Sequence, residues 1–156
     1  STNYSKENAS VIQNNFLFSA ERNFQIAGNN YLNLRGETAL LNSKNDFVAN
    51  ELLRFGGWNS FRGFNENSIY ADLYYYTTAE YRYLVGEQAF FDVFGQYGEF
   101  NNKSLQLKPK IYSFGLGFNF VLPIGLMSFQ LSNGSEFGNP IKFADTKIHW
   151  GILSRF

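Results

Sequence analysis

The sequence predicts an all-β protein, more specifically an antiparallel transmembrane β-barrel with about seven or eight strands in this chain. Aromatic residues make up 19% of the 156 residues, yet the mean hydropathy is only −0.28. No run of 18 or more apolar residues is present, which excludes an ordinary membrane-spanning helix. A barrel wall combines these properties, because lipid-facing and interior residues alternate along each strand. An aromatic-rich soluble β-sandwich is the alternative that composition alone leaves open.

Apolar and polar residues alternate with a period of two, which indicates β-strands. In the clearest segment, 69–85, every charged residue falls on one face, and the other face is expected to hold Ile69, Ala71 and Leu73 together. Segment 111–122 repeats the pattern, with large apolar residues on one face and Ser, Gly and Asn on the other. Strands are predicted at 11–26, 31–41, 69–85, 89–100, 111–122, 126–132 and 146–156.

The connections between these strands alternate in length. The tight ones are 27–30, 86–88 and 123–125, and the long polar ones are 42–68, 101–110 and 133–140. Outer-membrane barrels have short periplasmic turns and long extracellular loops, so Phe156 is expected at the periplasmic rim. An odd count of about seven strands, with chain ends on opposite sides, predicts an incomplete wall. Either residues 1–10 contain an extra strand, or the chain is the C-terminal half of a larger barrel whose upstream strands complete it.

The composition also argues against several kinds of site. The 13 basic and 13 acidic residues cancel, so no nucleic-acid-binding surface is indicated. Without Cys there are no thiolate ligands, and the single His149 has no second His with which to hold a metal. Gly115 and Gly117 lie in an alternating strand with no following helix, so they are expected to make interior room for an inserted loop rather than to bind a dinucleotide. We predict no catalytic residue, no cofactor and no enzymatic activity.

Three features, in this order along the chain, resemble one family. The first is segment 55–64, FGGWNSFRGF, inside the longest predicted loop. The second is segment 80–83, EYRY, with Asp92 in the next strand, and the third is the ending 149–156, HWGILSRF. Together they resemble the C-terminal half of the BamA-like superfamily of outer-membrane assembly and translocation barrels, in the type common in Bacteroidetes. The resemblance extends over nearly the whole chain and implies that residues 1–156 form a single transmembrane barrel segment.

The resemblance implies a contact between the loop at about 42–68 and the interior wall. In the family this loop folds into the lumen and its Arg contacts acidic wall residues, which correspond here to Arg62, Glu80 and Asp92. The strand alternation independently places both carboxylates on the interior face, and one guanidinium can bridge two carboxylates. The alternative is that Arg62 is an ordinary loop cation and that Glu80 belongs to an exposed cross-strand pair.

Further residues have predicted roles in the loop contact or at the chain end. Gly63 would let the loop turn sharply beside the wall, and Phe64 or Phe61 would wedge into it. The chain end resembles an outer-membrane sorting signal, with His149, Gly151 and the terminal Phe156 at its characteristic positions. Ser154 departs from that pattern, because a hydrophobic residue is usual there. Gly151 is also expected to weaken the packing of the last strand at a seam between first and last strands.

The function that the resemblance implies is the insertion, assembly or translocation of outer-membrane proteins. The implied partners are outer-membrane lipid, substrate outer-membrane proteins, accessory assembly lipoproteins and the upstream barrel strands. The implied location is the bacterial outer membrane, with the long loops extracellular and the C-terminus periplasmic. Two alternatives stay open: a barrel that anchors or exports an upstream hydrolase-like domain, and a small structural or adhesive barrel.

Overall fold

The computed structural model of the protein describes residues 13–43 and 51–153. The described residues form nine β-strands and two single turns of 3-10 helix, at Lys103–Leu105 and Phe143–Asp145. The strands are β1 (Gln13–Ala27), β2 (Asn30–Ser43), β3 (Leu53–Phe55), β4 (Ile69–Ala71), β5 (Leu73–Val85), β6 (Ala89–Asn101), β7 (Lys110–Leu122), β8 (Gly125–Glu136) and β9 (Lys147–Leu153). The expected all-β class is therefore confirmed.

Seven of these strands form one antiparallel sheet in the order β1-β2-β5-β6-β7-β8-β9, which we call the main sheet. Tight turns join β1 to β2, β5 to β6 and β7 to β8, and longer segments make the other connections, as the sequence predicts. β3 and β4 pair with each other in a separate two-stranded sheet. β1 and β9 lie at the two edges of the main sheet, and within the described residues these strands do not close into a barrel.

The two faces of the main sheet differ sharply in polarity. We call the face covered by residues 56–68 the inner face and the opposite face the outer face. Apolar side chains on the outer face are strongly exposed, for example Val93 at 60%, Leu116 at 56% and Trp150 at 70%. The inner face buries polar side chains, among them Thr78, Glu80, Asp92, Gln96, Ser128 and Gln130. The predicted alternation on β5 to β9 is confirmed by this division.

Asp72 interrupts the predicted strand 69–85 and separates β4 from β5. Its side chain is 1% exposed. The carboxylate accepts hydrogen bonds from Asn101 Nδ2 at 2.9 Å and from the backbone N–H of Lys103 at 2.6 Å. The backbone of Asp72 still pairs with both neighbouring strands, since its N–H donates to the Asn101 carbonyl at 2.9 Å and its carbonyl accepts from the Leu41 N–H at 2.7 Å.

The break at Asp72 shifts the alternation by one residue. Ile69 and Ala71 are buried, whereas Tyr70 between them is exposed. The expectation that Ile69 and Ala71 share the outer face with Leu73 is therefore wrong. β4 pairs with β3 and adds its apolar side chains to the core beside the inner face.

Several predictions concern residues outside the described ranges. The extra strand considered for residues 1–10 and the positions of Ser154 and Phe156 fall in this group. Among the described residues, no helix is long and apolar enough to cross a membrane.

Candidate functional site

Residues 56–68, which we call the inner loop, connect β3 to β4 and pack against the inner face. Phe61, in the middle of the loop, is fully buried and contacts Tyr76 of β5 edge to face, with ring centroids 5.5 Å apart. Phe55, just before the loop, stacks on Tyr74 with centroids 4.2 Å apart. Complete burial of one such aromatic side chain contributes about 1.5–3 kcal/mol. This aromatic cluster fixes the start of the inner loop against the main sheet.

Arg62 points along the inner face and forms a buried ion pair with Glu80 of β5. Its Nη1 lies 2.8 Å from Glu80 Oε2, and the exposed fractions of the two residues are only 9% and 5%. Arg82 holds the other oxygen of the same carboxylate, with Nε 2.5 Å from Oε1. The Arg62 guanidinium also lies over the Phe94 ring, 3.5 Å from its centroid, which is cation–π geometry.

Arg62 remains positively charged although it is buried. Removal from water lowers the pKa of the Arg62 guanidinium, while the charge and hydrogen bond of Glu80 raise it. Because a guanidinium is protonated far above neutral pH and Glu80 offsets part of the cost of burial, Arg62 stays charged at neutral pH. The inner loop is thus held by a full positive charge between a carboxylate and an aromatic face.

Asp92 of β6 does not take part in this contact. Arg62 and Asp92 are not within ion-pair distance of each other in the described residues. Asn119 Nδ2 donates to Asp92 Oδ2, and Asp92 Oδ1 has no described hydrogen-bond partner. The carboxylate leans toward Gly117, where an added Cβ would lie 2.8 Å from Oδ1. The predicted bridge from Arg62 to both carboxylates is therefore corrected to an ion pair with Glu80.

The two glycines of β7 accommodate wall side chains rather than the inner loop itself. An added Cβ at Gly115 would lie 2.6 Å from Cε1 of Phe94, the ring that Arg62 covers. Gly117 makes the equivalent room for Asp92. The expectation that these glycines make room for the loop directly is wrong. Gly115 instead makes room for the Phe94 ring, and the Arg62 guanidinium of the loop lies over that ring.

Gln96 of β6 binds the backbone of the inner loop, a role that strand alternation alone did not indicate. Its Oε1 accepts from the backbone N–H of Arg62 at 2.7 Å, and its Nε2 donates to the carbonyl of Ser60 at 3.0 Å. Nε2 also donates to Thr78 Oγ1 at 2.8 Å, and Oε1 also accepts from Ser113 Oγ at 3.1 Å. The amide is 5% exposed and fully engaged on both ends.

Gly63 and Phe64 carry the inner loop onto β8. Gly63 has φ +87°, and an added Cβ would lie 2.7 Å from the carbonyl carbon of Asn133. Phe64 occupies the space above Gly134, where an added Cβ would lie 2.7 Å from Phe64 Cε2. Position 63 thus needs glycine for two reasons, its left-handed backbone and its approach to another backbone.

Replacement of Gly63 by alanine should destabilise the protein by about 1–3 kcal/mol, because strain and a clash with β8 backbone combine. The matched control is Gly138→Ala, since Gly138 has φ +92° but no atom within 4 Å of its added Cβ. Free energies of unfolding of the two variants measure the difference. Equal losses at both positions would show that the approach to Asn133 is unimportant.

The predicted terminal motif contacts the inner loop through Gly151. An added Cβ at Gly151 would lie 2.7 Å from Cη2 of Trp58, so the Trp58 ring packs directly over this glycine. Gly151 therefore provides space for the inner loop on β9, in addition to any effect on strand packing. His149 also faces inward from β9, and its Nε2 is buried without a described hydrogen-bond partner. The remaining residue of this motif, Phe156, lies outside the described ranges.

A polar cavity of about 200 Å³ lies between part of the inner loop and the inner face of the main sheet. Among the described residues, no cluster of three or more His, Cys, Asp or Glu side chains is arranged to hold a metal ion. The cavity lining combines three guanidinium groups, three carboxylates and neutral polar groups, including Glu21, Arg35, Arg62, Glu80, Arg82, Asp92, Gln96, Asn119 and Gln130.

Fold and site together define an antiparallel β-sheet that has an apolar outer face and a loop fixed to a polar inner face. No protein-family model matches the chain, and no curated protein matches it.

Proposed function

We propose that the chain is a transmembrane β-barrel segment of the bacterial outer membrane, of the BamA-like type, that acts in the insertion, assembly or translocation of outer-membrane proteins. The observation that carries the proposal is the inner loop, with Arg62 of its FRGF segment paired to Glu80 on the wall. It is one of the two contacts that the family resemblance implies, the other being between Arg62 and Asp92. Surface loops do not usually bury a guanidinium and a carboxylate together, because desolvation of both charges is costly.

The outer face supports a membrane location. On β7 and β8 the exposed side chains of this face include Phe114, Leu116, Phe129 and Leu131, and on β9 they include Trp150. Soluble proteins rarely expose such a continuous apolar surface. The alternation of this face with a polar interior is the pattern of an outer-membrane wall.

The edges of the main sheet suggest how such a protein acts on a substrate. β1 and β9 each present an edge that no described strand pairs with. Unpaired strand edges are templates for the addition of another strand. In the proposed function a substrate strand, or a further strand of the wall, adds at one of these edges while the inner loop keeps the interior polar groups engaged.

Insertion into lipid or detergent should be required for stable folding of the full chain. The physical reason is the exposed apolar outer face, because contact between so much apolar surface and water is energetically unfavourable. We expect a monodisperse β-rich species in detergent and aggregation in buffer alone, measured by circular dichroism and size-exclusion chromatography. A monodisperse, β-rich monomer without detergent would contradict the membrane proposal.

An assembly assay tests the function itself. Vesicles that contain the chain should accelerate the folding of a urea-denatured outer-membrane barrel, measured by the resistance of that barrel to SDS without heating. The Arg62→Ala variant, which keeps the outer face, should insert and yet accelerate folding less. If the inserted wild-type chain gives no acceleration over empty vesicles, an anchoring or structural barrel is the better explanation.

A further inference from the structure

We propose that Gln96 is the positioning residue that seats the inner loop, by pairing with the loop backbone as a neighbouring strand would. The inference concerns the conformation of the site and holds whether the chain assembles other proteins or only anchors them. It assigns a role to a wall residue that lies outside the ion pair of Arg62.

The orientation of the Gln96 amide is fixed by its partners. The backbone N–H of Arg62 can only donate and the carbonyl of Ser60 can only accept, so Oε1 must face Arg62 and Nε2 must face Ser60. Thr78 and Ser113 hydroxyls complete the remaining bonds, at 2.8 Å and 3.1 Å. These two hydroxyls hold the amide in place from the strands on either side of β6.

Gln96 satisfies backbone groups that the irregular loop cannot pair by itself. Buried backbone donors and acceptors need partners, and a loop that crosses a wall has no adjacent strand to supply them. The two groups that Gln96 binds flank Phe61, so the amide sets the direction of that peptide segment. With the segment fixed, Phe61 enters the aromatic cluster and Arg62 reaches Glu80.

Gln96 binds the middle of the inner loop, around Phe61. Gly63 lies close to β8 backbone and the Trp58 ring packs over Gly151 of β9, so these two contacts flank the Ser60 to Arg62 segment, whose backbone Gln96 binds. Loss of the amide should therefore loosen the segment around Phe61 while leaving the main sheet paired. This differs from a general loss of stability, which would affect the whole sheet.

The test uses the fluorescence of Trp58 in the full chain folded in detergent. The protein has only two tryptophans, so Trp150→Phe leaves Trp58 as the single reporter on the inner loop. In that background Gln96→Leu should raise acrylamide quenching of Trp58 by about two- to five-fold, because Trp58 lies two residues before Ser60 and becomes accessible when that segment opens locally. The matched control is Gln130→Leu, since Gln130 is equally buried at 5% on the inner face but, within the described residues, its Oε1 has no hydrogen-bond partner and so does not bind the loop backbone as that of Gln96 does.

Gln96→Glu provides a second, isosteric variant with a pH signature. A carboxylate can still accept from the Arg62 N–H but cannot donate to the Ser60 carbonyl, whereas the protonated acid can donate. Quenching in this variant should therefore fall toward the wild-type level as the pH is lowered. The wild type, measured over the same pH range, corrects for the other ionisable groups that line the cavity: Glu21, Arg35, Arg62, Glu80, Arg82 and Asp92.

The outcomes distinguish local positioning of the inner loop by Gln96 from a general effect of the substitution on the stability of the main sheet. Increased quenching in Gln96→Leu but not in Gln130→Leu, with a pH-dependent Gln96→Glu, supports the proposal. Equal quenching in both leucine variants, or a Gln96→Glu profile parallel to that of the wild type, would overturn it. If Gln96→Leu does not fold, the Gln96→Glu profile alone decides between these results.

Discussion

Replacement of Phe129 by arginine is expected to destabilise the protein in a bilayer by about 2–4 kcal/mol, whereas the same change at the next residue, Gln130, should cost far less. Phe129 lies on the outer face and is 43% exposed, while Gln130 lines the inner cavity. An arginine at position 129 would have to leave water for hydrocarbon. At position 130 it would enter a polar cavity that contains Asp92.

The pair is matched because both residues lie on β8 at the same depth, one on each face. Leu116 of β7 offers a repeat of the outer-face change, since it is 56% exposed and pairs with Leu131. Ser113 is less suitable as the inner control, because it hydrogen-bonds Gln96 and is 3% exposed. Free energies of unfolding from vesicles give the measurement. Similar losses on both faces would mean that the outer face does not contact lipid.

The strands and their faces could be predicted because period-two alternation is a local property. On β6 and β7 the expected outer residues, such as Val93 and Leu116, are exposed, and the expected inner residue Ser113 is buried. The prediction of the two faces failed at Asp72, where the alternation shifts by one residue. Asp72 binds Asn101 and the backbone of Lys103, which lie about 30 positions away in the chain, so nothing in its own segment indicated the break.

The inner site was less predictable, because its contacts join residues far apart in the sequence. Arg62 and Glu80 could be paired through the family resemblance and the inward position of Glu80. Gln96 could be placed on the inner face, but the loop backbone atoms that it binds depend on the path of the loop. The Trp58 contact with Gly151 likewise depends on the fold, since a glycine in a strand only shows that something can approach it closely.

Replacement of Arg62 by alanine is expected to cost about 2–3 kcal/mol of stability and to release the inner loop, while the chain still inserts into the membrane. Breaking a buried ion pair typically costs about 3–5 kcal/mol, because the remaining charge is left without a partner. Here Arg82 still contacts Glu80 after the change, so the loss should be smaller. Arg62→Lys should recover only part of it, because a lysine lacks the planar group that lies over Phe94. Unfolding free energies and acrylamide quenching of Trp58 measure both effects.

Double-mutant cycles should then measure the coupling free energy of Arg62 with each of the two nearby carboxylates, Glu80 and Asp92. The cycle of Arg62→Ala with Glu80→Gln should give a coupling of about 1–3 kcal/mol, because the two side chains share a buried ion pair at 2.8 Å. The cycle of Arg62→Ala with Asp92→Asn should give less than about 0.5 kcal/mol, since Asp92 is bonded to Asn119 and acts on Arg62 only through space. A larger coupling to Asp92 than to Glu80 would show that the guanidinium bridges toward β6 in solution. Equal coupling to both would restore the bridge to two carboxylates that the sequence predicts.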